Sequence, residues 1–354
     1  LDPLRNQVRC MAKNWLSKWA GYFSSDLAMD LGTANTLVHV KDRGIILNEP
    51  SVVAISSNDG SVLAVGLEAK QMYGRTPHQV QAIRPMKDGV IADFEVTSKM
   101  ITYFTKKALD RFWLLKPRMV IGIPTCITQV EKKAVIDAAI IAGVREVHLV
   151  QEPMSAAIGV GIPVHRPEGN MVVDIGGGTT DVAVISLSAI AYGDSLRVAG
   201  DEMDESIVRY MRLQHQLSIG IFEAERAKVA VGSAFPLVEK LTTEVKGLSV
   251  RSGVPESIVV NDEEMRQAMK EPVSAIVNVA LRALEQTPPE LAADIHTNGI
   301  YLTGGGALIR GLDSMIEQQT SLKVYIPESP LTSIVKGAGA IMDNFAEMKK
   351  VCIN

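Results

Sequence analysis

Two widely separated segments of this chain carry one pattern. Residues 26–40, DLAMDLGTANTLVHV, and residues 170–186, NMVVDIGGGTTDVAVIS, each read as strand, tight turn and strand. Alternation and β-branched residues mark the strands, and glycines with Asn35 mark the turns. Each copy ends its first, apolar strand on an aspartate, Asp30 and then Asp174. Either hairpin alone reads equally well as an ordinary glycine turn. Two in register are far more specific and suggest a duplicated fold.

The segments around them alternate strand and helix, which indicates an α/β architecture with covered sheet faces. Residues 118–123 read as a strand, 128–142 as a helix, 147–150 as a strand and 153–160 as a helix. Further helices are expected at 95–110, 205–217, 223–232 and 262–286, and strands within 44–66 and 237–260. A third glycine-rich unit follows: strand 299–303, turn Gly304-Gly305-Gly306, helix 307–319. A last helix at 331–348 contains Gly337 and Gly339, whose cost to the helix suggests that another backbone comes close.

These turns suit a polyphosphate, which needs inward-pointing N–H groups with no side chain in the way. Gly32, Thr33, Ala34 and Asn35 form one candidate jaw; Gly176, Gly177, Gly178, Thr179 and Thr180 form the other. A helix N-terminus after Gly306 would add N–H donors. Two carboxylates facing a triphosphate repel it unless a cation lies between them. Mg²⁺ binds through few carboxylates plus waters and phosphate oxygens, so Asp30 and Asp174 are its candidate partners. No GxxxxGK[ST] motif is present, so this is no P-loop protein.

The bulk numbers narrow the class. A chain of 354 residues suits two domains. With 47% hydrophobic and 21% charged residues it is globular, and a net charge of −4 argues against a nucleic-acid binder. Cys10, Cys126 and Cys352 form no metal-ligand grouping and read as reduced cytosolic thiols. No apolar run approaches the roughly 20 residues that span a bilayer, and no cleavable signal peptide is visible. A cytoplasmic protein is expected.

The motifs are long and ordered: DLGTANT at 30–36, RPMKDGVIADF at 84–94, EPMSAAIG at 152–159, DIGGGTTDVAVIS at 174–186, AGDEMDE at 199–205, PPELAADI at 288–295 and YLTGGGALIRGLD at 301–313. Together they closely resemble the MreB family of bacterial actins, from about Asp26 to Asp343. The resemblance implies an actin-like fold: two duplicated ribonuclease-H-like domains around a nucleotide cleft, each with an inserted subdomain. Domain I would span 24–168, with the C-terminal helix 331–350 packing back on it, and domain II 169–330. It implies ATP with Mg²⁺, slow hydrolysis, and assembly into double antiparallel filaments on the inner membrane face. There the filaments would work with a transmembrane adaptor and cell-wall elongation proteins to hold rod shape.

By motif, Thr33, Ala34, Asn35, Gly177, Gly178 and Thr179 would contact phosphate. Glu225 and Lys228, in ERAK, would flank the adenosine, with Arg226 and Ala227 counted in the nucleotide site, and Gly304, Gly305, Gly306 and Ala307 would close over base and ribose. Glu152 matches the residue that positions the attacking water, assisted by Thr179, with Asp174 completing the catalytic set. Phosphoryl transfer needs mainly positioning and charge neutralisation, which suits this set. Glu152 also reads as a carboxylate favoured at a helix N-terminus. Gln151, Asp181 and Ala227 depart from the family pattern, which has Glu, Glu and Ile there.

Two segments suit a lipid surface. Leu4, Val8, Met11, Trp15 and Trp19 recur at helical spacing beside a basic row of Arg5, Arg9 and Lys13, as in an interfacial helix. Residues 1–23 are therefore expected to bind the membrane, with Trp15, Leu16, Trp19 and Phe23 entering it. The tip Phe112, Trp113 and Leu114 is a second candidate. Packing onto the protein's own body is the competing reading for both. Of other activities, a small-molecule kinase would need a substrate loop and base that no segment announces, and a chaperone would need a peptide-binding domain after the last helix. A filament scaffold that binds ATP without hydrolysing it remains the alternative.

Overall fold

The computed structural model describes residues 26–109 and 116–353. Trp15, Leu16, Trp19, Phe23, Phe112, Trp113 and Leu114 lie outside the described residues. The first half contains β1 (Leu27–Leu31), β2 (Asn35–Val40), β3 (Gly44–Pro50), β4 (Val53–Ser56), β5 (Val62–Val65), β6 (Val80–Ile83), β7 (Met86–Lys87), β8 (Val90–Ile91), β9 (Arg118–Ile123) and β10 (Glu146–Gln151). The second contains β11 (Asn170–Ile175), β12 (Thr180–Ser186), β13 (Ala189–Leu196), β14 (Leu217–Ser218), β15 (Thr242–Ser249), β16 (Pro255–Asn261), β17 (Ile300–Thr303) and β18 (Val324–Tyr325).

The duplication expected from the paired hairpins is present in the topology. One five-stranded sheet runs β3-β2-β1-β9-β10 and the other β13-β12-β11-β17-β18. In both, an antiparallel meander is continued by two parallel strands. β1 and β11 are central and buried along their whole length, because apolar layers cover both sheet faces. Each half carries an inserted three-stranded sheet, β5-β4-β6 in the first and β14-β15-β16 in the second.

Local chemistry explains most boundaries. Helix Gln129–Ile141 starts on a capping box: Thr128 accepts the Glu131 N–H, and the Glu131 carboxylate accepts the Thr128 N–H. Helix Pro289–Asn298, which the sequence reading left unassigned, begins with proline at its first position, where no N–H is needed. Elsewhere the elements differ from those expected, and the helix expected at 262–286 is two, Asp262–Ala268 and Lys270–Glu285. The helix expected at 205–217 spans Gly200–Gln214, because the Gly200 and Asp201 N–H groups fasten its start to the carbonyls of Gly176 and Gly177. Strand β13 was not anticipated, since Gly193 and Asp194 interrupt its apolar pattern. The helix expected at 307–319 begins only at Leu312; the third glycine turn runs into a short 3₁₀ segment, Gly305–Leu308. The final helix is likewise shorter, Ser333–Asp343, with a separate turn at Phe345–Met348.

The halves meet through two helices, Glu152–Gly159 and Ser333–Asp343, which share an apolar core including Val120, Met154, Ala157, Val172, Ile334 and Ala338. Helix Ser333–Asp343 also lies against β1 and β9. The helices cross almost backbone to backbone. A Cβ on Gly337 would sit 1.7 Å from the Ser155 carbonyl oxygen, and one on Gly159 would sit 1.9 Å from that of Ser333. A Cβ on Gly339 would meet the His39 ring at 2.8 Å. The close backbone expected beside these glycines is present at Gly337, whereas Gly339 meets a side chain; the Ser155 hydroxyl adds a 2.8 Å bond to the Ile334 carbonyl.

Gly337→Ala tests this crossing. Helix propensity alone would stabilise by about 1 kcal/mol. Overpacking should outweigh that and lower the melting temperature by about 3–8 °C. Gly220→Ala, where nothing lies within 4 Å of the new Cβ, should change it far less. A rise in melting temperature for Gly337→Ala would contradict the crossing.

Candidate functional site

Asp30 is near the C-terminal end of β1, and Asp174 holds the equivalent place in β11. Both face one cleft of about 510 Å³ between the halves. Its wall includes Asp30, Gly32, Thr33, Ala34, Asn35, Glu152, Asp174, Gly176, Gly177, Gly178, Thr179, Glu225, Lys228, Gly304, Gly305 and Gly306. The volume suits a nucleotide-sized ligand.

The two glycine turns oppose each other at close range. A Cβ on Gly177 would lie 2.8 Å from the Ala34 Cβ, and one on Gly178 would lie 2.8 Å from Thr33 Oγ1 and from the Asp88 nitrogen. Glycine is required there for the jaws to approach. The first turn is braced from behind: the Ser51 hydroxyl bonds the Gly32 carbonyl at 2.6 Å, and Ser51 N–H bonds the Ala34 carbonyl. Thr33 Oγ1 accepts the Gly89 N–H at 3.0 Å, which ties the jaw to the RPMKDG segment. The third turn lies on the second. Gly304 has φ +79°, and a Cβ there would lie 2.3 Å from the Ile175 carbonyl oxygen.

The carboxylates are buried: Asp30 is 7% exposed, Asp174 2% and Glu152 8%. Burial, then the charge of Asp174, pushes Asp30 up to about 7. Burial pushes Asp174 up to about 7 as well, with Asp181 adding to the rise and a 2.8 Å hydrogen bond from the Thr303 hydroxyl opposing it. Glu152 rises well above the carboxylate range, through burial first and then through Asp181, Asp30 and Asp174. Such a group of acids is unfavourable in the ionised state until positive charge enters.

No set of three or more His, Cys, Asp or Glu that could hold a metal occurs among the described residues. A cation here would depend on two protein carboxylates plus water and phosphate oxygens, which is how Mg²⁺ is commonly held beside nucleotides. Asp30 and Asp174 fit that role, since each is buried and destabilised by negative charge around it.

Four expected residues do not line the cleft. Thr180 is fully buried, with its hydroxyl on the Val198 carbonyl at 2.8 Å. Ala227 and Ala307 are buried in the second-half core. Arg226 turns away to Glu223 and Thr243. Within ERAK, only Glu225 and Lys228 share the cleft face, three residues apart on one helix.

The structure adds Arg84, Asp201, Met203, Asp204, Leu308 and Leu331, which the sequence reading did not place. Lys228 pairs with buried Asp204 at 2.8 Å and bonds the Gly200 carbonyl at 2.8 Å. At the mouth, residues of the first half's insertion reach the second half. Lys70 meets Glu225 at 2.8 Å, Arg84 meets Asp201 at 2.8 Å, and the Tyr73 ring packs edge-on against Phe222 at 5.1 Å. Arg84 and Asp201 lie in the motifs RPMKDG and AGDEMDE, but nothing within either motif shows that the two residues would meet.

Comparisons with known proteins agree with this geometry. The model of the MreB/Mbl protein family matches residues 24–350. The cell shape-determining protein MreB of Escherichia coli (strain K12) is 50% identical over 333 residues, covering 93% of this chain and 96% of that protein. The cell shape-determining protein Mbl of Bacillus subtilis (strain 168) is 48% identical over 328 residues, covering 93% and 98%. The crystal structure of MreB 5 of Spiroplasma citri bound to AMPPNP superposes with a TM-score of 0.88 at 32% identity, covering 92% of this chain and 98% of that one. With nearly its whole described length matched, this chain belongs to the MreB/Mbl family of actin-like proteins.

Proposed function

We propose that this protein binds ATP with Mg²⁺ in the cleft, hydrolyses it slowly, and assembles with copies of itself into filaments that maintain cell shape. The observation that carries the reading is the buried pair Asp30 and Asp174, each raised to about 7, between opposed glycine turns. Relatives named for cell-shape determination, and one solved with AMPPNP, support the nucleotide and the role.

In this reading the N–H groups of residues 33–35 and 177–179 receive the phosphates, while the Gly176 N–H closes its own turn on the Thr179 carbonyl. Asp30 and Asp174 would hold Mg²⁺, which would supply positive charge against the phosphates. Glu225 and Lys228 flank the sugar end, and Gly304, Gly305 and Gly306 cover the base. Glu152 orients the attacking water, and the Thr179 hydroxyl assists it. The division of labour suits phosphoryl transfer, where positioning and electrostatics supply most of the rate. The proposed domains are 24–168, with the C-terminal segment 331–350 packing back on it, and 169–330.

The filament is proposed as a double antiparallel homopolymer, cytoplasmic and peripheral on the inner membrane face. Its attachment would use Trp15, Trp19 and Phe23 with Phe112, Trp113 and Leu114, and its partners would be a transmembrane adaptor and wall-elongation proteins. No helix among the described residues is long and apolar enough to cross a membrane.

Two experiments test this reading. Glu152→Ala should cut phosphate release by about 100-fold or more while ATP still binds, since it removes a group that acts on the water. Filaments seen by electron microscopy with no phosphate release from the wild type would favour the scaffold; release that needs an added acceptor would favour a kinase. Replacing Trp15, Trp19 and Trp113 by Ser should abolish co-sedimentation with anionic liposomes. Equal binding would sink the membrane assignment.

A further inference from the structure

Asp181 is a buried carboxylate beside the cleft to which the proposed reaction gives no task. In the antiparallel register of β11 and β12 it stands opposite Asp174, so the two side chains project from the same sheet face. It is fully buried, and one of its oxygens has no hydrogen-bond partner among the described residues. The other accepts the N–H of Thr125 at 2.7 Å.

Thr125 belongs to the other half. It lies two residues beyond Ile123, the last residue of β9, and Ile123 pairs in register with Gln151 at the end of β10. The Gln151 side-chain amide reaches the Thr125 carbonyl at 3.5 Å, and Glu152 follows directly in sequence. Strand β13 makes room for the same turn: a Cβ on Gly193 would lie 2.6 Å from the Thr125 methyl. The second half therefore holds the turn after β9, and that turn abuts the strand end from which Glu152 projects.

We infer that Asp181 is a positioning residue: its bond to the Thr125 N–H straps the two halves together beneath the cleft and fixes the Gln151–Glu152 junction relative to the phosphate turns. The inference rests on the ATPase reading above. The required group is a hydrogen-bond acceptor at this place, so asparagine can supply it and alanine cannot.

The test uses the full chain as wild type, Asp181→Ala, Asp181→Asn and Glu152→Ala. It reads phosphate release at saturating ATP, ATP affinity, and amide hydrogen exchange over residues 122–128. Asp181→Ala should lower turnover about tenfold through misplacement of Glu152 and leave affinity within about threefold. Asp181→Asn should recover most of that turnover, and exchange protection should be lost in the alanine variant and kept in the asparagine variant. Where alanine does not fold, Asp181→Leu fills the same volume without an acceptor and takes its place. Asparagine as damaging as alanine, affinity and turnover falling together, or an alanine variant equal to wild type would each overturn the strap. If wild-type release does not exceed that of Glu152→Ala, the ATPase reading fails. Exchange then decides alone, with unchanged protection in Asp181→Ala counting against the strap.

Discussion

The central constraint is electrostatic. Two carboxylates sit near the ends of two central strands, out of water, in one cleft. Burial disfavours their charged forms, and Asp174 adds repulsion on Asp30. The fold holds them there because β1 is paired on both sides by β2 and β9, and β11 by β12 and β17. The nearby cations do not relieve the pair: Lys228 is engaged with Asp204, and Arg84 with Asp201. Positive charge has to come from a ligand, and the glycine turns beside the aspartates present N–H groups for the anion that such a cation accompanies.

Around that pair the cleft is stiff at its base and soft at its mouth. At the base, helices Glu152–Gly159 and Ser333–Asp343 touch backbone to backbone, and close-packed interiors give little under such contact. At the mouth, Lys70–Glu225 and Arg84–Asp201 join partly exposed side chains that water can also solvate. Pairs of that kind are worth about 0–1 kcal/mol. The polar pairs at the mouth therefore oppose separation only weakly beside the Tyr73–Phe222 contact, while the helix crossing at the base holds its geometry. Glu225 belongs both to the mouth and to the expected nucleotide site, so opening and ligand contact share a residue.

Much of this was legible in the residues. The strand-end aspartates and their glycine turns announced the cleft, and Gly337 announced the backbone that crosses it closely, while Gly339 makes room for the His39 ring instead. The duplication was legible because both hairpins keep the same order of strand, aspartate and turn. What escaped had physical reasons. β13 pairs by its backbone despite Gly193 and Asp194, which hide it from an apolar pattern. The start of helix Gly200–Gln214 depends on bonds to Gly176 and Gly177, far away in sequence. ERAK was read as four contacts, but a helix presents only one face, so Arg226 and Ala227 point elsewhere. Arg84, Asp201 and Lys70 belong to the cleft only because the halves meet, and no local pattern reports that.

If the buried pair carries protons until a cation arrives, binding must release them. With Asp30 and Asp174 each raised to about 7, pH 6.5 favours their protonated forms without ligand, and the proposed Mg²⁺ would favour the ionised forms. Calorimetric titration of the nucleotide-free protein with ATP and Mg²⁺, in buffers of different ionisation enthalpy, counts those protons directly. The account predicts net proton release at pH 6.5, declining as pH rises through 7, small above 8, and largely absent in an Asp30→Asn, Asp174→Asn double variant. No release at pH 6.5, or the same release from the double variant, would contradict it.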